Sequence, residues 1–139
     1  MRNILSPAVK LLLVVPLLAI MLLGCGDRNT EPLTSEEAVR LRAQGWLDAL
    51  LNGDLEGAYG YTSPSYRQFA NAGRYHARVE GTGSWDTGIV DTVVCDGPAC
   101  KVRTIVEYDI KQMGVRNRRP LDYKWIEVEG EWWLFVPAR

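Results

Sequence analysis

Histidine occurs once in the 139 residues, at position 76, and cysteine three times, at 25, 95 and 100. A metal centre built on two or three histidines is thereby excluded, and no C-x-x-C pair marks a thioredoxin-like exchange site. A G-x-S-x-G element is missing too, so nothing recommends a nucleophilic serine. The glycine-rich stretch Gly81-Thr82-Gly83-Ser84-Trp85-Asp86 has Asp86 where a dinucleotide loop needs its third glycine, and no helical pattern follows; it reads as a flexible connection. Charge of neither sign dominates, with 16 basic side chains against 17 acidic, which excludes a basic nucleic-acid binder and an acidic tail. Repeats and low-complexity tracts are absent. Nor does any apolar run reach the roughly 20 residues that a membrane-spanning helix needs.

What is present begins with an address. Arg2 and Lys10 bracket a short basic region, and the uncharged run Leu11 to Gly24 ends at Cys25. That run has the length of a secretory leader's apolar core. Its end, Leu22-Leu23-Gly24-Cys25, resembles the lipobox of bacterial lipoproteins, with the bulkier Leu23 as a departure from the commonest pattern. The resemblance implies cleavage after residue 24 and acyl chains on Cys25, enough to hold the protein to a membrane permanently. A conventional leader or an uncleaved anchor are the alternatives. Gly26, standing where an aspartate would resemble the inner-membrane retention signal, favours the outer membrane facing the periplasm over the inner membrane. The chain then divides into a leader (1–24), a lipidated polar tether (25–33) with a reach of about 30 Å, and a folded domain (34–139).

Export suits a disulfide between Cys95 and Cys100, because Asp96-Gly97-Pro98 is a turn that brings two strand ends together. Zinc binding and redox exchange by the same pair remain as alternatives.

Within the domain, Thr34 and Glu37 form a capping box, and Val39, Ala43, Trp46, Leu47, Leu50 and Leu51 recur at helical spacing until Asn52-Gly53. Asp54 caps a second short helix, and Ser63-Pro64 starts a third. From Tyr75 onward the period is read as two, with His76 exposed or on an edge strand. A strand from about Trp85 to Cys95 pairs with Val102, Thr104, Val106, Tyr108 and Ile110, which alternate with polar residues. Arg116, Arg118 and Arg119 fall in a solvated loop before Pro120, and Glu129-Gly130 turns a last hairpin. Helices first and antiparallel strands after predict an α+β domain.

The order of a long amphipathic helix, Gly53-Asp54 with Ala58-Tyr59, the Ser63-Pro64-x-Tyr66 turn, and Trp125-x-x-Val128-Glu129-Gly130-Glu131-Trp132-Trp133 resembles the nuclear transport factor 2-like superfamily, the cystatin-like α+β cone. It covers residues 34 to 137. The resemblance implies N-terminal helices packed on a strongly bent antiparallel sheet, with a cavity between the long helix and the concave face. Trp46, Tyr59, Tyr66, Tyr108 and Trp125 are the candidate cavity lining, each with plain core as its alternative. Enzymes of that superfamily place a base in the cone, and here Asp91 and His76 are the residues available. The preferred expectation is a non-catalytic, lipid-anchored envelope protein that binds a small apolar ligand or an envelope protein partner, without cofactor or nucleic acid. A scaffold subunit of an envelope assembly and a cone-fold isomerase or dehydratase are the alternatives.

Overall fold

The structure, a computed structural model, describes residues 32–137, so the leader and Cys25 lie outside the described residues. The first helix, α1 (Ser35–Leu51), begins where a capping box closes. The Thr34 side chain accepts from the Glu37 N–H, and the Glu37 carboxylate accepts from the Thr34 N–H at 2.9 Å. These bonds occupy donors that the first turn of a helix otherwise leaves unpaired. Val39, Ala43, Trp46, Leu47 and Leu50 then form a fully buried stripe. The helix stops before Gly53, whose φ of 71° a side chain would resist. Asp54 accepts from Gly57 N at 2.8 Å to start α2 (Leu55–Gly60), and Ser63, followed by Pro64, caps α3 (Pro64–Phe69).

The two-residue period read from Tyr75 onward is wrong for its first residues. Asn71 accepts from Arg74 N at 3.0 Å and caps a fourth helix, α4 (Ala72–Val79). Tyr75, Ala77 and Val79 alternate with His76 and Arg78, which imitates a strand. The residues that turn inward, however, are Tyr75 and Val79, four apart, while Ala77 is exposed. Four is the helical repeat, and His76 is a helix residue rather than an edge-strand one. The glycine-rich segment that follows is a defined 3-10 turn, Glu80–Ser84, in which Thr82 donates to Val79 O and Ser84 to Gly81 O.

Four antiparallel strands, β1 (Thr87–Asp96), β2 (Ala99–Ile110), β3 (Val115–Val128) and β4 (Glu131–Leu134), lie side by side in that order as one curled sheet. The fold is α+β, as the sequence predicts. Gly97, with φ 55°, and Pro98 turn β1 into β2. Proline cannot take a positive φ, so only a type II′ turn fits that pair. Cys95 and Cys100, directly opposite across the turn, are joined by a disulfide. Glu129 and Gly130 both have positive φ, 55° and 79°, as the type I′ turn between β3 and β4 requires.

The placement of Arg116, Arg118 and Arg119 in a loop is also corrected: all three belong to β3, and Pro120 pairs with Ile105. A proline is tolerated there because β4 reaches β3 only from Trp125 to Val128, which leaves one side of β3 an open edge at Pro120. At the opposite margin of the sheet, α1 closes the edge of β1. Gln44 accepts from Val90 N and Arg40 donates to Val90 O, both at 2.9 Å, next to the bulge that leaves Asp91 out of register. Gly88 permits the close approach, since a Cβ there would lie 3.0 Å from the Leu47 side chain. Among the described residues no helix is long and apolar enough to cross a membrane.

Candidate ligand cavity

The concave face is built by alternation on β2 and β3. Cross-strand partners share a face, and Cys100–Trp125, Val102–Tyr123, Thr104–Leu121, Val106–Arg119 and Tyr108–Asn117 are such partners. Burial falls off along both strands. Val102, Thr104, Val106 and Trp125 are 0% exposed, whereas Tyr108, Tyr123 and Leu121 are half-buried and Arg119 is exposed. In the space beyond the sealed residues lies a cavity of about 790 Å³. Trp46 and Leu50 of α1, Tyr75, Arg78 and Val79 of α4, and Thr82 and Trp85 line its helical side. Tyr108, Arg119, Leu121 and Tyr123 line the sheet side, with the segment Leu134 to Pro137 closing one margin.

Two buried rings make the floor. The Trp46 indole N–H donates to the Tyr75 hydroxyl at 2.8 Å, and the Tyr123 ring meets Trp46 edge-on with centroids 4.6 Å apart. Burial pushes both phenols, Tyr75 and Tyr123, up to about 12, so each stays protonated. Because Tyr75 already accepts from Trp46, its own proton is directed away from that bond. Tyr108 is in the same condition, accepting from Asn117 Nδ2 at 2.7 Å. Tyr75 and Tyr108 thus each already accept one hydrogen bond at the cavity wall and keep a proton to donate.

Charge follows the same asymmetry. Asp122 and Lys124 reach the rim but are engaged elsewhere: Arg103 at 2.9 Å and Lys101 at 3.0 Å hold the Asp122 carboxyl down to about 2, and the Lys124 ammonium lies 5.4 Å from the Phe135 ring centroid. Arg116 and Arg118, on the convex face, pair with Glu107. Arg119 is on the concave face, opposite Val106, and has no hydrogen bond or ion pair among the described residues.

Of the residues proposed from sequence as cavity lining, Trp46 and Tyr108 border the space. Tyr59, Tyr66 and Trp125 are packed behind it: Tyr59 donates to Ala70 O at 2.8 Å, Tyr66 is buried against Tyr75, and Trp125 is sealed between Trp46 and Tyr61. Asp91 is exposed at the β1 bulge, and His76 faces Glu56 at 3.7 Å; neither borders the cavity. The residues that sequence reasoning missed include Tyr75, Arg78, Trp85, Arg119, Leu121 and Tyr123. Arg119, Leu121, Tyr123 and Trp125 recur at every second position, a signal available once β3 is extended through Pro120.

No protein-family model matches the chain, and no curated protein is similar to it. Solved structures are more informative. A Campylobacter jejuni protein named as an NTF2-like (nuclear transport factor 2-like) transpeptidase superposes with a TM-score of 0.50 over 68% of this chain and 94% of its own, at 13% identity. The fold is NTF2-like. A SEC-C motif-containing protein from Psychrobacter arcticus superposes with a TM-score of 0.59 over 78% of this chain, at 8% identity, and here the match spans 64% of the neighbour. At these identities the likeness is one of fold alone. The described space is thus the interior of an NTF2-like cone, open at the end away from the disulfide.

Proposed function

We propose that this protein is a lipid-anchored envelope protein whose NTF2-like cone binds a small ligand without transforming it. The observation that carries the reading is the cavity of about 790 Å³, within the size range of small-molecule sites and walled by Trp46, Tyr75, Trp85, Tyr108 and Tyr123. A filled cone would have favoured the scaffold alternative. The lipobox-like Leu22-Leu23-Gly24-Cys25 supports anchoring through acylated Cys25, with the outer membrane facing the periplasm as its place. An isomerase or dehydratase of this fold needs a base in the cone, and Asp91 and His76 lie elsewhere.

Thermal-shift screening of the full chain in nanodiscs against amphiphiles, steroids and quinone-like compounds tests the binding reading. A ligand that raises the melting temperature in proportion to the logarithm of its concentration supports it. A uniformly flat screen returns the scaffold reading. For the anchor, labelling with a palmitate analogue should mark the wild-type protein and leave Cys25→Ala unmarked.

A further inference from the structure

The charged groups that line the cone are unbalanced in sign. Tyr75 and Tyr108 each accept one bond, from Trp46 and Asn117, Arg78 spends one N–H on Pro137 O at 3.3 Å, and Arg119 spends none among the described residues. Among the described residues no uncommitted carboxylate borders the cavity, since Asp122, the acidic residue at the rim, is bound by Arg103 and Lys101. A cationic ligand would find no counter-charge. A wholly apolar one would leave the exposed Arg119 guanidinium at the rim without a ligand partner. An oxyanion reverses that balance, because a guanidinium binds carboxylate and phosphate oxygens through two parallel N–H donors.

Resting on the reading of the domain as a ligand-binding cone, we propose that the ligand is a small amphiphile with one anionic head group, carboxylate or phosphate monoester. Its head lies on Arg119 and its apolar body along Trp46, Leu50 and Leu121. The placement of Arg119 is specific. Arg118, its neighbour in sequence, points to the convex face and pairs with Glu107, whereas Arg119 stands opposite the fully buried Val106 on the face that α1 covers farther along. The arginine marks the boundary between wet rim and apolar interior, where the head of an amphiphile comes to rest.

The test titrates the full chain, in phosphatidylcholine nanodiscs with empty discs as the blank, with octanoate, octyl phosphate and octanol. Fluorescence of Trp46 and Trp85 at the cavity wall provides the readout beside calorimetry. Octanoate or octyl phosphate should bind at least tenfold more tightly than octanol, and the tighter of the two names the head group. Arg119→Gln should bring that ratio to within threefold of unity and leave octanol binding and the melting temperature unchanged. Arg118→Gln should leave the ratio intact. Equal affinity for octanol and both anions, or an equal loss in Arg118→Gln and Arg119→Gln, overturns the anion assignment while binding in the cone stands. Binding of none of the three removes the binding-cone reading and this assignment with it.

Discussion

Cys100, Val102 and Trp125 share the concave surface and the same two strands with Tyr108, Leu121 and Arg119, yet the first three are sealed and the second three look into open space. The alternation that builds both ends is identical in period. What differs is the cover. At 1.5 Å per residue the 17 residues of α1 run for about 25 Å, while the 14 residues of β3, at about 3.4 Å each, run for over 45 Å. The long strands outrun the helix, and β4, with four residues, ends early on the other side. The cavity is the surplus of strand over helix. Chemistry changes where the cover ends: indole and aliphatic groups at the sealed end give way to phenols and then to an arginine.

The strongest way to break this comparison is to remove a large side chain at each end. Trp125→Ala at the sealed end should destabilise the domain by about 3–5 kcal/mol, because Trp125 is 0% exposed and its packing against Trp46 and Tyr61 is lost. Leu121→Ala at the open end should cost only about 1 kcal/mol, since this side chain is only partly buried and borders the cavity. Urea unfolding of both variants measures the pair. Equal losses would mean that the open end is packed as tightly as the other.

Next in size is the staple at the sealed end. Replacing Cys95 and Cys100 together with alanine should cost about 2 kcal/mol by the chain-entropy account, small because the closed loop is short. Thermal melts with and without reductant should show the wild type falling to the variant's midpoint. Arg119 and Tyr108, at the open end, lie away from this turn, so octanoate affinity should not follow the melting temperature. A matched loss of both would show that the two ends are coupled.

Much of the sealed end was legible in the sequence and less of the open end. The α1 stripe was readable because five buried positions recur over a full 17-residue helix, and the capping residues Thr34, Asp54 and Ser63 each act through a bond to a backbone N–H three residues on. The alternation of β2 was equally clear. By contrast, Tyr75 and Arg78 come from an eight-residue helix whose pattern over five residues imitates a strand, and Arg119, Leu121 and Tyr123 lie on a strand interrupted by Pro120. Local rules treat that proline as a terminator, although a sheet edge absorbs it. Aromatic type was also a poor guide. Tyr59, Tyr66 and Trp125 are as aromatic as Trp46 and Tyr108, and what seals them is contact with Ala70, Tyr75 and Tyr61, which no local pattern reveals.

A smaller probe separates the phenol's two duties at the open end. Tyr108→Phe removes the acceptor of the Asn117 bond and one donor to the cavity, at a stability cost of about 0.5 kcal/mol because Asn117 is only half-buried and can turn to water. A ligand whose oxygen accepts from Tyr108 should lose about 0.5–1.5 kcal/mol of affinity, whereas the contacts of its apolar tail are untouched. An unchanged affinity for every polar probe would place the Tyr108 hydroxyl outside the bound ligand's reach.

The smallest expected effect lies on the convex face, where charges are paired instead of free. Asp122 has an ordinary carboxyl value of 3.8 and is held near 2 in the fold, first by its hydrogen bond to Arg103 and then by that to Lys101. As pH falls, the unfolded chain takes up this proton before the folded one does. The contribution of Asp122 to stability is therefore complete above about pH 5, shrinks between pH 4 and 2, and vanishes below about pH 2. Exposure of the carboxylate to water and salt keeps it small. In Asp122→Asn the stability difference from wild type should be constant near neutrality, close by pH 2, and diminish in high salt. A difference that persists at pH 2 would assign the loss to side-chain packing rather than to charge. The octanoate preference should survive this substitution, because the guanidinium it frees belongs to Arg103 on the outer face, and Asp122 is no partner of Arg119.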